Sequence, residues 1–251
     1  MIDIHSHLLP GVDDGSSSAA LSQRVLEKFA SDGVEVVVCT PHLNASRAHV
    51  APDAEHQLAF DALLPFVPAG MSLARGWEIM LDEPGVDLRA PHLALGGSSA
   101  VLVEFPRGPL PMNAAQELFR LSMSGIVPVL AHPERYTGCT PARVREWRGA
   151  GAVMQVDATM MMGEGRRAEL ARQLLADGLA DVIASDNHGD ARSLALARRW
   201  LGEHGGEEAA ELLTRTNPER LLRNEPMLPV PPVKVRSGIL ARLRAVLRLR
   251  P

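Results

Sequence analysis

The chain has 251 residues, 46% of them hydrophobic and 22% charged, the composition of an ordinary globular protein and a length that suits one α/β barrel. Against a net charge of −4, residues 234–251 hold Lys234, Arg236, Arg242, Arg244, Arg248 and Arg250 with no acid. The body ahead of them is therefore more acidic than the whole, which argues against nonspecific nucleic-acid binding.

Its two cysteines, Cys39 and Cys139, form neither a disulfide framework nor a CxxC metal site. No apolar run is long enough to span a bilayer, and the opening MIDIHSH has no secretory h-region. A cytoplasmic protein is expected.

Seven strand-like runs stand at 2–4, 34–40 (VEVVVCT), 71–78 (MSLARGWE), 100–105 (AVLVEF), 127–131 (VPVLA), 152–156 (AVMQV) and 181–185 (DVIAS). Helical patterns lie between them near 18–31, 53–66, 112–124, 141–149 and 164–177. The first shows Leu21, Val25 and Phe29 at four-residue spacing behind a serine cluster, with Gly33 after its end. Further helices near 191–204 and 206–214 lead to NPERLL. Strands alternating with helices of this length imply a parallel sheet, and seven such units suggest a barrel. The stretch PMLPVPPV (226–233) reads as a linker, so the chain divides into a barrel body, 1–225, and a linker with a basic tail, 226–251. From Ile239 to Arg248 the apolar residues share one helical arc and the arginines lie outside it, a pattern suited to an anionic membrane surface or to docking on protein.

The ionisable residues gather at the ends of those strands. His5 and His7 end the first, where a period of two puts both on one side. Asp13 and Asp14 follow closely. His42 follows the second strand, Glu78 closes the third, Glu104 the fourth and His132 the fifth. Asp157 follows the sixth weakly, and Asp186 and His188 end the seventh. In a parallel barrel these ends share the face on which active sites are built. The other histidines, His49, His56, His92 and His204, fall in loops or helices and read as surface residues. Carboxylates and imidazoles so crowded need positive charge among them. Imidazole and carboxylate without thiolate suit Mn, Fe or Zn, and so many donors exceed what one catalytic metal takes. Two or three divalent metals are expected.

The order HxH, DDG, TPH, Glu, Glu, AHPERY and SDNH resembles the polymerase-and-histidinol-phosphatase superfamily. Within it, MIDIHSHLLPGVDDG and AHPERY look like the bacterial manganese-dependent protein-tyrosine phosphatases of capsule and exopolysaccharide synthesis, over Met1 to about Asn224. The resemblance implies a distorted (β/α)7 barrel with a trinuclear site. It implies that His5, His7, Glu78 and Asp186 hold one metal, that Glu78 bridges to a second with Glu104 and His132, and that Asp14, His42 and His188 hold a third. The residues alone do not separate Asp14 from Asp13. Arg135 would bind phosphate, with Arg192 a further active-site arginine, and Asp3 would support His5 or simply pack at the strand start. The implied substrate is a phosphotyrosine protein, in context a membrane-associated tyrosine kinase, which gives the basic tail a reason to touch the inner membrane.

Other readings stay open at this point. Cys139 and Arg145 satisfy the Cys-x5-Arg spacing of thiol-based phosphatases, but the segment lacks glycine and contains Pro141. A small phosphoester such as histidinol phosphate, a nuclease substrate, or a non-catalytic metal-binding role are the further alternatives.

Overall fold

The computed structural model of the protein describes residues 1–234. β1 (Ile2–Ser6) leads to α1 (Ala19–Ser31), where the Ser18 hydroxyl accepts from the Leu21 N–H as an N-cap and Val25, Leu26 and Phe29 are buried. The runs expected at 34–40 and 71–78 are each broken by a bend. The first becomes β2 (Val36–Cys39) and β3 (His42–Asn44); the second becomes β4 (Ser72–Arg75) and β5 (Glu78–Met80). Pro41 has no N–H for a ladder, and a Cβ on Gly76 would lie 2.6 Å from a Leu95 methyl, so a side chain there would push Leu95 aside. His42 and Glu78 therefore begin short strands rather than following or closing long ones, and they sit in register with each other.

After α2 (Asp53–Leu63) the alternation runs β6 (Ala100–Glu104), α3 (Ala114–Met123), β7 (Val127–Ala131), α4 (Pro141–Gly149), β8 (Val153–Asp157), α5 (Arg166–Ala176), β9 (Val182–Ala184) and α6 (Leu194–Glu203). A short α7 (Glu207–Glu211) continues through a π-helical stretch into α8 (Asn217–Leu222).

All strand pairs among the described residues are parallel. They form a three-stranded sheet, β1-β2-β4, and a six-stranded sheet, β3-β5-β6-β7-β8-β9. The bends join the sheets on one side. On the other, the Asp186 N–H donates to His5 O at 2.9 Å and the His7 N–H to Asn187 O at 2.8 Å, stitching β1 to the end of β9. With β2/β3 and β4/β5 each counted as one bent stave, the ladder runs round a distorted barrel of the expected kind. Alternation sets the faces. Ala100 and Leu102 join one apolar cluster with Val129, Ala131, Val153, Val182 and Ala184, whereas Val101, Val103, Met154, Val156 and Ile183 join the larger cluster. Glu104, Gln155, Asp157 and Asp186 continue the first set in step, so they leave the barrel's interior at one end.

Residues 226–233, expected as a linker, are irregular but docked. Their prolines preclude helix, yet Val230 and Val233 are buried, and the Val233 N–H donates to Leu175 O at 3.1 Å. The Asn217 side chain brackets Leu228, donating to its carbonyl and accepting from its N–H, both at 2.9 Å. The expected amphipathic tail, Ile239–Arg248, lies outside the described residues. No helix among the described residues is long and apolar enough to cross a membrane.

Candidate metal centre

The turn after β1 builds the first part of the site. The Gly15 N–H donates to Asp13 Oδ1 at 2.9 Å and the Ser16 N–H to His7 O at 2.8 Å, folding the DDG loop back over the strand end. A Cβ on Gly15 would fall 2.2 Å from His7 O, so this approach needs glycine. The fold-back separates the two aspartates. Asp13 Oδ2 meets His7 Nδ1 at 2.7 Å, while Asp14 Oδ1 lies 3.2 Å from His42 Nε2 and 3.4 Å from His188 Nε2.

Three overlapping donor groups result, the donor atoms of each lying within 4.8 Å of one another: His5, His7, Glu78 and Asp186; His42, Glu78 and Glu104; and His7, Asp14, His42 and His188. His132 joins the second, its Nε2 2.8 Å from Glu78 Oε1 and 3.7 Å from Glu104 Oε2. Every ligand candidate from the sequence thus comes to one place. The structure also puts His42 beside Glu78, with Nδ1 2.9 Å from Oε2, so His42 touches two groups where one was expected. Two of the donors leave their strands at unusual backbone angles, His132 at φ 37° and Asp186 at φ 47°, a left-handed conformation that side-chain-bearing residues adopt at a cost and that turns these groups inward.

The donor chemistry fits divalent cations. His5 Nδ1 faces Gln155 Oε1 at 2.9 Å, and the same carboxamide donates from Nε2 to Asp157 Oδ1 at 3.1 Å, which fixes its orientation. His5 Nδ1 must then carry the hydrogen, as must His7 Nδ1 against Asp13. That leaves two Nε2 atoms facing each other at 3.1 Å, with Glu78 and Asp186 oxygens 3.2–3.4 Å away. Neutral imidazoles would offer only lone pairs to these carboxylates, so something positive must stand between them. Protons are one answer: burial opposes charge on His5 and His7, but the surrounding Asp and Glu carboxylates raise both, and Glu78 is held well below the usual carboxylate range despite its burial. Metal ions are the other.

Arg135 forms ion pairs with both Asp157 and Asp186. Arg192 places Nη1 3.0 Å from Asp186 Oδ2 and Nη2 2.8 Å from Asp190 Oδ2. Both arginines therefore stand at the candidate centre. Asp3 accepts from the Ser185 N–H at 2.9 Å and from the His5 backbone N–H at 3.5 Å, bracing the β1–β9 seam. The orienting roles of Asp13 and Gln155 were not foreseen. A carboxamide two residues before Asp157 on a strand ending at this face was the available signal. His56, read as a surface residue, is buried and stacked on Trp77 with ring centroids 4.1 Å apart. The thiol alternative fails on geometry: Cys139 lies in the apolar core with its thiol pushed up to about 12 by burial, and Arg145 is paired with Asp177 at 2.8 Å.

A cavity of about 480 Å³ opens onto the donors, reaching His42, Glu78, Glu104, His132, Asp186 and His188. Phe105, Tyr136 and Met160 give it apolar surface, and Arg107, Arg135 and Arg167 also line it. A second cavity, about 520 Å³ and near the opposite strand ends, contains none of the candidate donors.

Known proteins are similar to this chain in sequence and fold. Tyrosine-protein phosphatase YwqE of Bacillus subtilis is 30% identical over 94% of this chain and 97% of its own. Tyrosine-protein phosphatase CpsB of Streptococcus pneumoniae is 28% identical over 90% and 99%. A solved structure from work on those two proteins, described as unique metal-dependent tyrosine phosphatases, superposes with a TM-score of 0.73 at 27% identity, covering 94% of this chain and all of that one. The phosphotriesterase of Mycobacterium tuberculosis, 12% identical with a TM-score of 0.52, shares the fold alone. Residues 1–223 match the model of the capsular polysaccharide synthesis family CpsB/CapC, and the chain belongs to that family.

Proposed function

We propose that this protein is a metal-dependent protein-tyrosine phosphatase, a phosphoric monoester hydrolase acting on phosphotyrosine in a protein of the capsule or exopolysaccharide machinery. The observation that carries the reading is the overlap of three donor groups through His7, His42 and Glu78, with Arg135 and Arg192 beside them. His5, His7, Glu78 and Asp186 would hold one cation, Glu78, Glu104 and His132 a second, and Asp14, His42 and His188 a third. Manganese is the first choice, with iron or zinc compatible with the same imidazole and carboxylate donors.

Divalent cations in such a site make water acidic enough to serve as a nucleophile at neutral pH and draw charge from phosphate oxygens. The chain supplies the rest. Arg135 and Arg192 present guanidinium forks suited to the remaining phosphate oxygens. Phe105, Tyr136 and Met160 offer apolar surface to a phenyl ring. A phenolate, with an ordinary pKa of about 10, leaves without a strong general acid. Relatives named as tyrosine-protein phosphatases support the substrate class.

The test is elemental analysis joined to p-nitrophenyl phosphate and phosphotyrosine hydrolysis after chelation and metal add-back. Activity should vanish with chelator and return with manganese. Full turnover in metal-stripped protein would overturn the reading.

A tyrosine kinase at the inner membrane is the proposed partner, and the basic residues of 234–251 the proposed membrane contact, from a cytoplasmic setting. Composition supports the contact, since each basic residue near an anionic surface adds about 1 kcal/mol. Deleting that segment should reduce cosedimentation with anionic vesicles, and equal binding without it would remove the idea.

A further inference from the structure

Three arginines come from three neighbouring strand ends. β6, β7 and β8 are consecutive in the larger sheet. Arg107 follows Glu104 on the loop after β6, Arg135 follows His132 after β7, and Arg167 lies at the start of α5, after β8. All three line the cavity over the candidate metal centre. Their partners differ. Arg135, in the middle, is engaged by Asp157 and Asp186. Arg107 and Arg167 are exposed and, among the described residues, neither is within salt-bridge distance of a carboxylate. The Arg107 loop is also held in place, because Pro109 forms a parallel bridge with Thr137 of the next loop. Two exposed cations on the rim of an acidic body, without a carboxylate partner among the described residues, are available to an anion from outside the chain.

Resting on the phosphatase reading above, we propose that Arg107 and Arg167 are specificity-determining residues that select substrates bearing a second anionic group beside the phosphotyrosine. The middle position of the row belongs to the reacting phosphate. The outer two positions suit groups displaced to either side of it along an extended peptide, where successive side chains diverge from the backbone. A glutamate or aspartate side chain and a second phosphotyrosine share the required chemistry, an oxyanion that a guanidinium can bind in a fork.

The experiment compares manganese-loaded full-length protein on three phosphotyrosine peptides of one length: glutamate-flanked, lysine-flanked and doubly phosphorylated. The wild type should favour the glutamate-flanked over the lysine-flanked peptide in kcat/KM by roughly three- to tenfold, the effect of two exposed charge pairs, and salt should shrink that ratio. Arg107→Glu/Arg167→Glu should invert the ratio in favour of the lysine-flanked peptide, with the change in KM. A merely structural role would lower both rates together and leave the ratio alone. A larger preference for the doubly phosphorylated peptide than for the glutamate-flanked one identifies phosphate as the flanking group; the reverse identifies carboxylate. Equal kcat/KM on glutamate- and lysine-flanked peptides in the wild type, or an unchanged ratio in the charge-reversed variant, overturns the proposal while leaving the phosphatase reading intact. Failure of the wild type to hydrolyse any of the peptides or p-nitrophenyl phosphate overturns both.

Discussion

Asp13 Oδ2 lies 2.7 Å from His7 Nδ1, and the bond fixes which nitrogen of His7 faces Glu78 and Asp186. Its neighbour Asp14 points elsewhere, at His42 and His188. The adjacent aspartates therefore face different partners, and the proposed metal site would use Asp13 to orient a donor and Asp14 as a donor. Both Asp13 oxygens accept, Oδ1 from the Gly15 N–H and Oδ2 from His7 Nδ1 and the His42 N–H, so Asp13→Asn should lose the carboxylate charge and put an amide NH2 against a donor. Metal binding should weaken by about ten- to a hundredfold, the usual cost of losing such a partner. Excess manganese should restore most of its activity. Asp14→Asn should lose a donor outright and resist rescue. Metal titration followed by elemental analysis separates the two, and identical behaviour of both variants would remove the distinction.

Cys139→Ser should leave metal content and phosphotyrosine turnover within about twofold of wild type. The thiol is buried in the core beside α4, and burial pushes it up to about 12, far from the thiolate a nucleophile needs. His5→Ala, Glu78→Ala and Asp186→Ala should each abolish turnover while circular dichroism reports a folded barrel. A dead Cys139→Ser protein with full metal content is the outcome that would restore thiol chemistry.

Much of this was legible in the sequence because the fold and the chemistry share one period. Strand ends can be read from alternation, and residues in step along β6, β8 and β9 place Glu104, Asp157 and Asp186 on one side without coordinates. The division of Asp13 from Asp14 was not legible from the residues alone, only implied by the resemblance, since it depends on the loop closing over His7 O through Gly15. The bends at Pro41 and Gly76 were also hidden. An apolar run looks continuous in sequence, and the Leu95 methyl packed against Gly76 comes from a residue 19 positions later. For Gln155 the sequence offers only its place two residues before Asp157; its orienting role depends on both partners, His5 and Asp157, being in place.

The pH dependence of metal loading follows from the same cluster. His5, His7, His42 and His132 all sit above the ordinary imidazole value, His132 at about 9. Burial opposes each shift, and carboxylates, Glu78 among them in every case, outweigh it. A raised folded-state value stabilises the metal-free fold fully below about 6.5, and that stability is lost as pH climbs toward the raised value. Metal ions must displace these protons, so binding tightens in the same direction. The Tm of chelated protein should fall between pH 6.5 and about 9, while the Tm gain on adding manganese should grow over that window. A gain that is constant from pH 6 to 8.5 would show that these imidazoles are not the groups exchanging protons for metal.

Arg135 is the proposed phosphate-binding residue, and replacing it tests phosphate recognition apart from metal assembly. It ion-pairs with Asp186, a candidate ligand, and with Asp157, so removing it changes the electrostatics of the centre as well as its anion-binding capacity. Burial opposes its charge, but the Asp157 and Asp186 carboxylates raise its pKa further, and a guanidinium stays charged throughout. The two effects have opposite signs for metal. Losing a neighbouring cation should favour divalent ions, so Arg135→Ala should bind manganese at least as well as wild type. Losing a charge-assisted bond to phosphate, worth about 1.5–3 kcal/mol, should lower kcat/KM by roughly ten- to two-hundredfold. Lysine at this position should rescue only partly, because it offers a point charge without the paired planar donors. Full metal content with reduced turnover, read by elemental analysis and steady-state kinetics on the same sample, is the expected result. Wild-type turnover of phosphotyrosine peptides by Arg135→Ala would move the phosphate-binding role to Arg192, which already reaches Asp186 at 3.0 Å.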